Sequence, residues 1–349
     1  MRPTPSSVEE VQELLKDVQY TMPPERTEWA FKGFLTTPRW DIENDIKRFS
    51  HVAPRPWDEE GDIETIDGVA FTHHFTMAPG DSDLVRWHWV EAGEAKPGEA
   101  PIVFLHGIPE SWYQWHQHMA VLCKKYHCIA IDMKGFGQSS KDPGDYTWEG
   151  VSEQFRALLD VLGLDKINLI THDRGTVLAD YFAGNHPDRV IKYARGEQHL
   201  YHYHPMMSPQ HALFGQVSEL ADPRVRVCKS YGWAGRYPIS DEHYERAIQE
   251  FAYPLTAVAV SRYFNSSTFR MEWIDRRTRL LKAWNFPIMI MEGKYSYTQP
   301  REFYVDSADY IPNSPEVIVE IIDGGHFWPL ENVEDTNAAY CRFFDVEVE

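Results

Sequence analysis

The sequence predicts a mostly parallel, doubly wound α/β sheet with an N-terminal antiparallel hairpin and an inserted helical segment. From residue 101 onward, short apolar runs alternate with helical patterns, which is the element order typical of parallel sheets. Residues 68–93 show near-alternating apolar positions on both sides of a turn, which predicts two paired strands. The alternation stops near residue 198 and resumes near residue 286. An interruption followed by a resumption indicates an insertion.

Each element has a recognisable pattern. The hairpin strands read GVAFTHHFTM and LVRWHWVEAG. Buried strands are predicted for PIVFLH, HCIAID, INLITH, VIKYARGE, FPIMIMEG and VIVEIID. Helices are predicted for SWYQWHQHMAVLCKKY, WEGVSEQFRALLDVLGL, TVLADYFAGN and NVEDTNAAYCRFF. Short continuous apolar runs favour buried strands, whereas apolar residues spaced at three and four positions favour helices.

These changes of pattern define the domain organisation. Residues 1–65 form an N-terminal extension whose proline- and tryptophan-containing segments are expected to pack on the main body. Residues 66–199 and 286–349 form the α/β core. Residues 200–285, which are rich in Tyr, Trp and His, form the helical cap.

Composition and charge limit the function. The chain of 349 residues has 34 basic and 53 acidic residues and a net charge of −19, which repels nucleic acid and anionic membrane surfaces. The 4 cysteines lie far apart without a CxxC pair, so neither a disulfide framework nor a zinc site is expected. The beginning lacks an apolar signal segment, and no run approaches the roughly 18 apolar residues of a membrane span. We expect a cytoplasmic protein.

Polar residues follow four of the predicted strands, at the edge where parallel sheets place their active sites. His106, Asp173, Glu197 and His326 each stand at or just after a strand end. Each has an ordinary structural explanation, such as a helix N-cap for Asp173. Their occurrence together indicates a catalytic group.

The segment LITHDRGTVLADY places Asp173 in a sharp turn between a strand and a helix. Such a turn exposes one side chain at the top of the sheet, and that residue is usually a serine nucleophile. A serine oxygen suits attack on a carbonyl group. A carboxylate is already ionised at neutral pH and can attack saturated carbon, which forms an alkyl ester. Water activated by a histidine then opens that ester.

Four segments resemble the α/β-hydrolase superfamily, and within it the epoxide hydrolase and dehalogenase branch that uses an aspartate nucleophile. They read VFLHGIPESWYQW, AIDMKGFGQSS, HDRG and DGGHFWPLENVEDT. The resemblance implies that Asp173 is the nucleophile and that His326 activates water. It also implies that Ile108 and Arg174 donate the backbone N–H groups of the oxyanion hole.

Two positions depart from the common family pattern. Many members carry the acid that orients the histidine after the strand FPIMIMEG, where this chain has Ser296. Other members carry it one strand after the nucleophile, so Glu197 is expected to orient His326. The elbow usually has glycine two residues before the nucleophile, where this chain has Thr171, so the strand and helix are expected to cross at a wider distance.

The residues near the nucleophile bear on the substrate. Haloalkane dehalogenases of this family carry Trp after the nucleophile, where this chain has Arg174. Haloacetate dehalogenases carry Arg there to bind a carboxylate, but they have a second Arg where this chain has Val177. Epoxide hydrolases use cap tyrosines to polarise the ring oxygen, and Tyr263 lies at about the expected place in AVSRYFNSS. The candidate partners of that tyrosine are Tyr201, His202, Tyr203, His204, Tyr231 and Tyr237.

We therefore predict an epoxide hydrolase-like enzyme that opens a small organic epoxide to a vicinal diol through an ester on Asp173. Trp112, His106 and Tyr263 are expected to contact the small-molecule substrate, and neither a metal ion nor an organic cofactor is implied. One alternative is a dehalogenase of a halogenated carboxylic acid. Another is an ester or lactone hydrolase, or a binding protein of the same fold. The N-terminal extension is expected to narrow the pocket or to form an oligomer contact, as in a homodimer.

Overall fold

The computed structural model describes residues 42–202, 218–296 and 301–347. In this part of the chain the strands form one nine-stranded sheet of order β1-β2-β3-β5-β4-β6-β7-β8-β9. The strands are β1 (Ile63–Ile66), β2 (Val69–Pro79), β3 (Leu84–Ala92), β4 (Ile102–Leu105), β5 (Cys128–Ile131), β6 (Ile167–Thr171), β7 (Val190–Gly196), β8 (Ile288–Gly293) and β9 (Val317–Ile322).

The helices cover both faces of the sheet. They are α1 (Ile42–Arg48), α2 (His116–Leu122), α3 (Trp148–Val161), α4 (Arg174–Asn185), α5 (Pro223–Ala234), α6 (Asp241–Phe251), α7 (Thr256–Ser266), α8 (Phe269–Asp275), α9 (Leu281–Ala283), α10 (Trp328–Glu331) and α11 (Val333–Phe344). A π-helical turn joins α8 to α9. No helix among the described residues is long and apolar enough to cross a membrane.

The predicted fold class is confirmed. Strands β1 to β3 pair antiparallel, β3 joins β5 antiparallel, and the strands from β5 to β9 are parallel. Strand β1 was not predicted, because its alternating residues IETI stood inside the segment assigned to the N-terminal extension. Residues 1–41, which make up most of the predicted N-terminal extension, lie outside the described residues.

The core lies on both faces of the parallel strands. Every residue of β4 is buried, and its alternate side chains enter different clusters. Val103 and Leu105 pack with the cluster on one face, whereas Ile102 and Phe104 pack with the cluster on the other. Continuous burial explains why this strand has no polar alternation in the sequence.

Helices α5 to α9 lie between β7 and β8, and the segment before β1 contacts them. Phe49 stacks on Tyr244 of α6, with ring centroids 4.9 Å apart. The Tyr253 hydroxyl donates a hydrogen bond of 3.0 Å to the Pro56 carbonyl. Residues 42–62 therefore connect the inserted helices to the antiparallel end of the sheet.

Candidate active site

Asp173 occupies a strained turn between β6 and α4. Its backbone angles are φ 49° and ψ −121°, and its side chain makes no hydrogen bond that caps the helix. A non-glycine residue in such a conformation costs about 1–3 kcal/mol and is typical of functional sites. The N-cap explanation of this residue therefore does not apply.

The turn is possible because two glycines allow the backbones to approach. A Cβ atom on Gly175 would lie 2.4 Å from the carbonyl oxygens of both Leu105 and His106. A Cβ atom on Gly107 would lie 2.4 Å from the Cβ of Asp173. The closest crossing thus occurs after the nucleophile position, at Gly175, and not two residues before it.

Thr171 fits within the elbow because its hydroxyl group finds partners. Its Oγ1 lies 2.9 Å from Oγ1 of Thr176 and 3.2 Å from the hydroxyl of Tyr193. The Thr176 hydroxyl in turn donates to the Gly196 carbonyl at 2.6 Å. A small hydrogen-bonded network thus takes the place of the glycine that is usual at position 171.

The carboxylate of Asp173 has three polar neighbours. Its Oδ1 accepts a hydrogen bond of 2.9 Å from the backbone N–H of Ile108. Its Oδ2 lies 3.2 Å from Nε2 of Gln198 and 3.5 Å from Nε2 of His326. Burial acts to raise the pKa of Asp173, but the hydrogen bond and charge of His326 outweigh it and hold that pKa well below its usual value. Asp173 is therefore ionised at neutral pH.

His326 connects Asp173 to Glu197. Its Nδ1 lies 2.8 Å from Oε2 of Glu197, and its backbone N–H donates to the Ala234 carbonyl at 2.9 Å. Burial acts to lower the pKa of His326, whereas the charges of Glu197 and Asp173 raise it to about 10. At neutral pH the ring is an imidazolium between two carboxylates.

Glu197 is completely buried at the end of β7, with φ 53°. Its Oε1 accepts a hydrogen bond of 2.8 Å from the Gly293 N–H, and its Oε2 accepts one of 2.9 Å from the Ser296 hydroxyl. Ser296 stands where many family members carry the acid, and here it donates a hydrogen bond to the acid of the neighbouring strand. Hydrogen bonds from a backbone N–H and a hydroxyl group thus hold the buried carboxylate of Glu197 beside His326.

Sequence reasoning did not identify Gln198. Its side chain is buried and donates to the carboxylate of Asp173, while its carbonyl accepts hydrogen bonds from Arg195 at 2.8 Å and from the Tyr304 hydroxyl at 2.5 Å. The available signal was its position directly after Glu197, at the carboxyl end of a central strand. A glutamine carries no signature by itself, so only the geometry reveals the contact.

The three side chains expected to contact the substrate have partners within the protein, and their contact with a substrate stays a prediction. The Tyr263 hydroxyl donates to the Lys134 carbonyl at 2.7 Å, and its ring stacks on Trp148 at 4.2 Å. Trp112 is fully buried and packs edge-on against His73. His106 is also fully buried, where its Nδ1–H donates to the Gly107 carbonyl and its Nε2 accepts from Met133. These ring contacts and hydrogen bonds hold the three side chains in the protein interior.

The four described residues among the tyrosines and histidines considered as partners of Tyr263 contact other side chains. Tyr231 donates to Glu110 and contacts the ring of Phe327, the residue after His326, at 4.8 Å. Tyr201 stacks on Tyr310. His202 lies 3.3 Å from Asp306, and Tyr237 donates to Asp323 at 3.3 Å. Tyr203 and His204 lie outside the described residues.

The side chain of Arg174 points to the inserted helices. Its Nη1 and Nη2 donate to the two carboxylate oxygens of Glu272 at 3.1 and 2.5 Å. Its guanidinium lies over the rings of Trp148 and Phe269, 4.6 and 4.5 Å from their centroids. Both members of the ion pair are buried. Arg174 is therefore already neutralised by a protein carboxylate.

We expect Glu272→Gln to lower the free energy of unfolding by roughly 3–5 kcal/mol, because it leaves the Arg174 guanidinium buried without its counter-charge. Urea denaturation followed by circular dichroism measures the change. The control is Glu153→Gln, which breaks an exposed ion pair with Arg156 and should cost about 1 kcal/mol or less. Equal losses in the two variants would contradict the buried pair.

We also expect Asp173→Asn to lower the pKa of His326 from about 10 by roughly one to three units, because one of its two anionic neighbours is removed. Ring resonances followed by NMR across the pH range measure it. Asp188→Asn, at an exposed position outside the site, is the matched control and should leave the titration of His326 unchanged. An unaltered titration in Asp173→Asn would mean that the two groups do not interact.

The comparisons with known proteins agree with this architecture. Residues 100–194 match the family model of the alpha/beta hydrolase fold. Soluble epoxide hydrolase from Corynebacterium sp. (strain C12) is 37% identical over 119 residues, which cover 34% of this chain and 39% of that protein. Bifunctional epoxide hydrolase 2 from Rattus norvegicus is 35% identical over 143 residues, which cover 40% of this chain and 24% of that protein. Each match thus spans well under half of the relative.

Solved structures match a larger share of the chain. The epoxide hydrolase CorEH without ligand superimposes with a TM-score of 0.60 and 21% identity over 79% of this chain and 99% of that one. The Bacillus megaterium epoxide hydrolase in complex with an inhibitor superimposes with a TM-score of 0.63 and 19% sequence identity. The match covers 77% of this chain and 100% of that one. An esterase from Thermogutta terrifontis superimposes with a TM-score of 0.62 and 21% sequence identity. The match covers 78% of this chain and 98% of that one. At these identities the likeness concerns the fold, and the protein has the α/β-hydrolase fold.

Proposed function

We propose that this protein hydrolyses a small organic epoxide to a vicinal diol through a covalent ester on Asp173. The proposal rests on the arrangement of three side chains. The carboxylate of Asp173 lies 3.5 Å from Nε2 of His326, and the carboxylate of Glu197 lies 2.8 Å from Nδ1 on the other side of that ring. The relatives with 35–37% identity over part of the chain are named epoxide hydrolases, which supports the reaction class.

In the first step an oxygen of Asp173 attacks a ring carbon, and the carbon–oxygen bond of the strained ring breaks. The ring oxygen leaves as an alkoxide and takes up one proton, which makes it the first hydroxyl group of the diol. Oδ2 is the oxygen on the side of His326, whereas Oδ1 is held by the Ile108 N–H. We assign Oδ2 as the attacking atom. Ile108 then keeps the other oxygen in place as the carbonyl of the ester.

In the second step a water molecule attacks the Cγ of Asp173. Formation of the ester removes the negative charge of Asp173, so one of the two charges that raise the pKa of His326 is lost. The pKa of His326 falls, its extra proton goes to the opened ring oxygen, and the neutral imidazole can take a proton from water. Negative charge develops on Oδ1, which already accepts a hydrogen bond of 2.9 Å from the backbone N–H of Ile108. This hydrogen bond stabilises the charge. The N–H of Arg174, at the start of α4, is assigned as the second donor. The bond from Cγ to the alkyl oxygen then breaks, and that oxygen takes the proton held by His326 to complete the diol.

The alternatives are less consistent with the site. A halogenated carboxylic acid needs a free cation beside the nucleophile, but the guanidinium of Arg174 is paired with Glu272 on both Nη atoms. An ester or lactone hydrolase with Asp173 as nucleophile would form an anhydride, a more reactive and less useful intermediate than the ester of a saturated carbon.

The test uses epoxides, haloacids and aryl esters in parallel assays, with product identified by mass spectrometry. We expect diol from at least one class of epoxide, and none from Asp173→Asn. A single turnover in ¹⁸O-water separates the routes, because the ester route places the label first in Asp173 and releases unlabelled diol. Labelled diol in the first turnover would overturn the covalent route, and halide or alcohol release without diol would overturn the function.

A further inference from the structure

A second group of ionisable side chains lies at the antiparallel end of the sheet, outside the catalytic site. His73 on β2 is opposite Val90, and His88 on β3 is opposite Phe75. The two histidines are therefore diagonal neighbours on the same face of the strand pair. Both are fully buried. Asp58, in the irregular segment before β1, reaches the same point.

The distances between the three side chains are those of ligands around one ion. Nδ1 of His73 lies 3.0 Å from Nε2 of His88 and 3.3 Å from Oδ2 of Asp58. The three ligand atoms all lie within 4.8 Å of one another. Ligands bound at about 2.0 Å in a tetrahedron are separated by about 3.3 Å. The group thus approximates one face of a tetrahedral site.

The remaining nitrogen of each histidine faces a carboxylate. Nδ1 of His88 lies 2.6 Å from Oδ2 of Asp132. Oδ1 of Asp132 accepts a hydrogen bond of 2.8 Å from the backbone N–H of Trp112. Nε2 of His73 lies 3.6 Å from Oε2 of Glu64. A carboxylate behind a histidine fixes an N–H on that side and directs the opposite lone pair to a metal ion. The two nitrogens that remain, Nδ1 of His73 and Nε2 of His88, lie 3.0 Å apart.

We propose that Asp58, His73 and His88 bind one divalent transition-metal ion, with Zn²⁺ the best match to two imidazoles and a carboxylate. Asp58 is also held by Arg55 at 2.8 Å and by Gln138. The ion therefore fastens residues 52–62, which contact the inserted helices, to the sheet. Its role is structural, and water completes its coordination.

The first measurement uses the full chain stripped with a chelator and titrated with ZnCl₂ by calorimetry. We expect one ion per chain and a higher midpoint of thermal unfolding. Co²⁺ in place of Zn²⁺ should show the visible absorption of a four-coordinate ion. A stripped protein that takes up no stoichiometric Zn²⁺ and does not change its melting midpoint would overturn the proposal.

Two variants locate the ion. Asp58→Asn keeps the shape of a partly exposed side chain, and we expect it to weaken Zn²⁺ binding by about 100-fold. His73→Gln should abolish binding, and circular dichroism checks that each variant is folded. The matched control is His74→Gln, which removes the adjacent histidine that contacts Glu60 and Glu91 and should bind Zn²⁺ like the parent protein. Loss of binding in His74→Gln with retention in Asp58→Asn would place the ion at the surface and contradict this site.

Discussion

His326→Gln is expected to stop the reaction after the ester forms. Asp173 keeps its Ile108 contact and can still open the ring, but no imidazole remains to deprotonate water. The loss of a general base lowers turnover by about 10²–10⁴-fold. Intact-mass spectrometry should then show the protein heavier by one epoxide molecule. Peptide mapping should locate the addition on Asp173.

Two controls make this result specific. Asp173→Asn should show neither turnover nor an adduct with the same epoxide. His186→Gln removes a histidine paired with Glu153, away from the site, and should turn over like the parent protein. An adduct on another residue, or normal diol release by His326→Gln, would contradict the assigned roles.

Glu197→Gln is expected to have an effect of comparable size, a decrease in turnover of up to about 10⁴-fold. In the parent protein the charge of Glu197, 2.8 Å from Nδ1 of His326, raises the pKa of that ring and fixes its tautomer. The variant loses this charge. The hydrolytic step should slow more than the alkylation step, so the ester accumulates during turnover. Rapid-quench measurement of the two half-reactions checks this split. Equal slowing of both steps would indicate a loss of structure and not of the oriented base.

The matched control for Glu197 is its buried neighbour Glu292 on β8. Burial and the charge of Glu197 raise the pKa of Glu292 well above its usual value, which favours the neutral form of this residue. Glu292→Gln replaces one neutral group with another of nearly the same shape, and turnover should stay within a few-fold of the parent protein. A decrease as large as that of Glu197→Gln would show that Glu292 carries the charge of the site.

The sequence was sufficient for the arrangement of the backbone. The alternation of apolar runs and amphipathic helices predicted the parallel sheet, and the sheet has the predicted class. Because neighbouring parallel strands end at the same edge, residues that follow β6 and β7 had to lie close together. Asp173 and Glu197 do so, and each contacts His326. Local pattern carries this information because strand ends are set by nearby residues.

Only the tertiary structure decided where the side chains point. Arg174 follows the nucleophile in the sequence, yet its guanidinium binds Glu272 on α8, 98 positions away. Tyr263 was expected at the substrate, and its ring packs on Trp148. The pairing of His73 with His88 depends on the register of two strands and on a loop that precedes them. Such contacts depend on how segments distant in the sequence pack together. The pattern within one segment therefore does not predict which distant side chain will contact it.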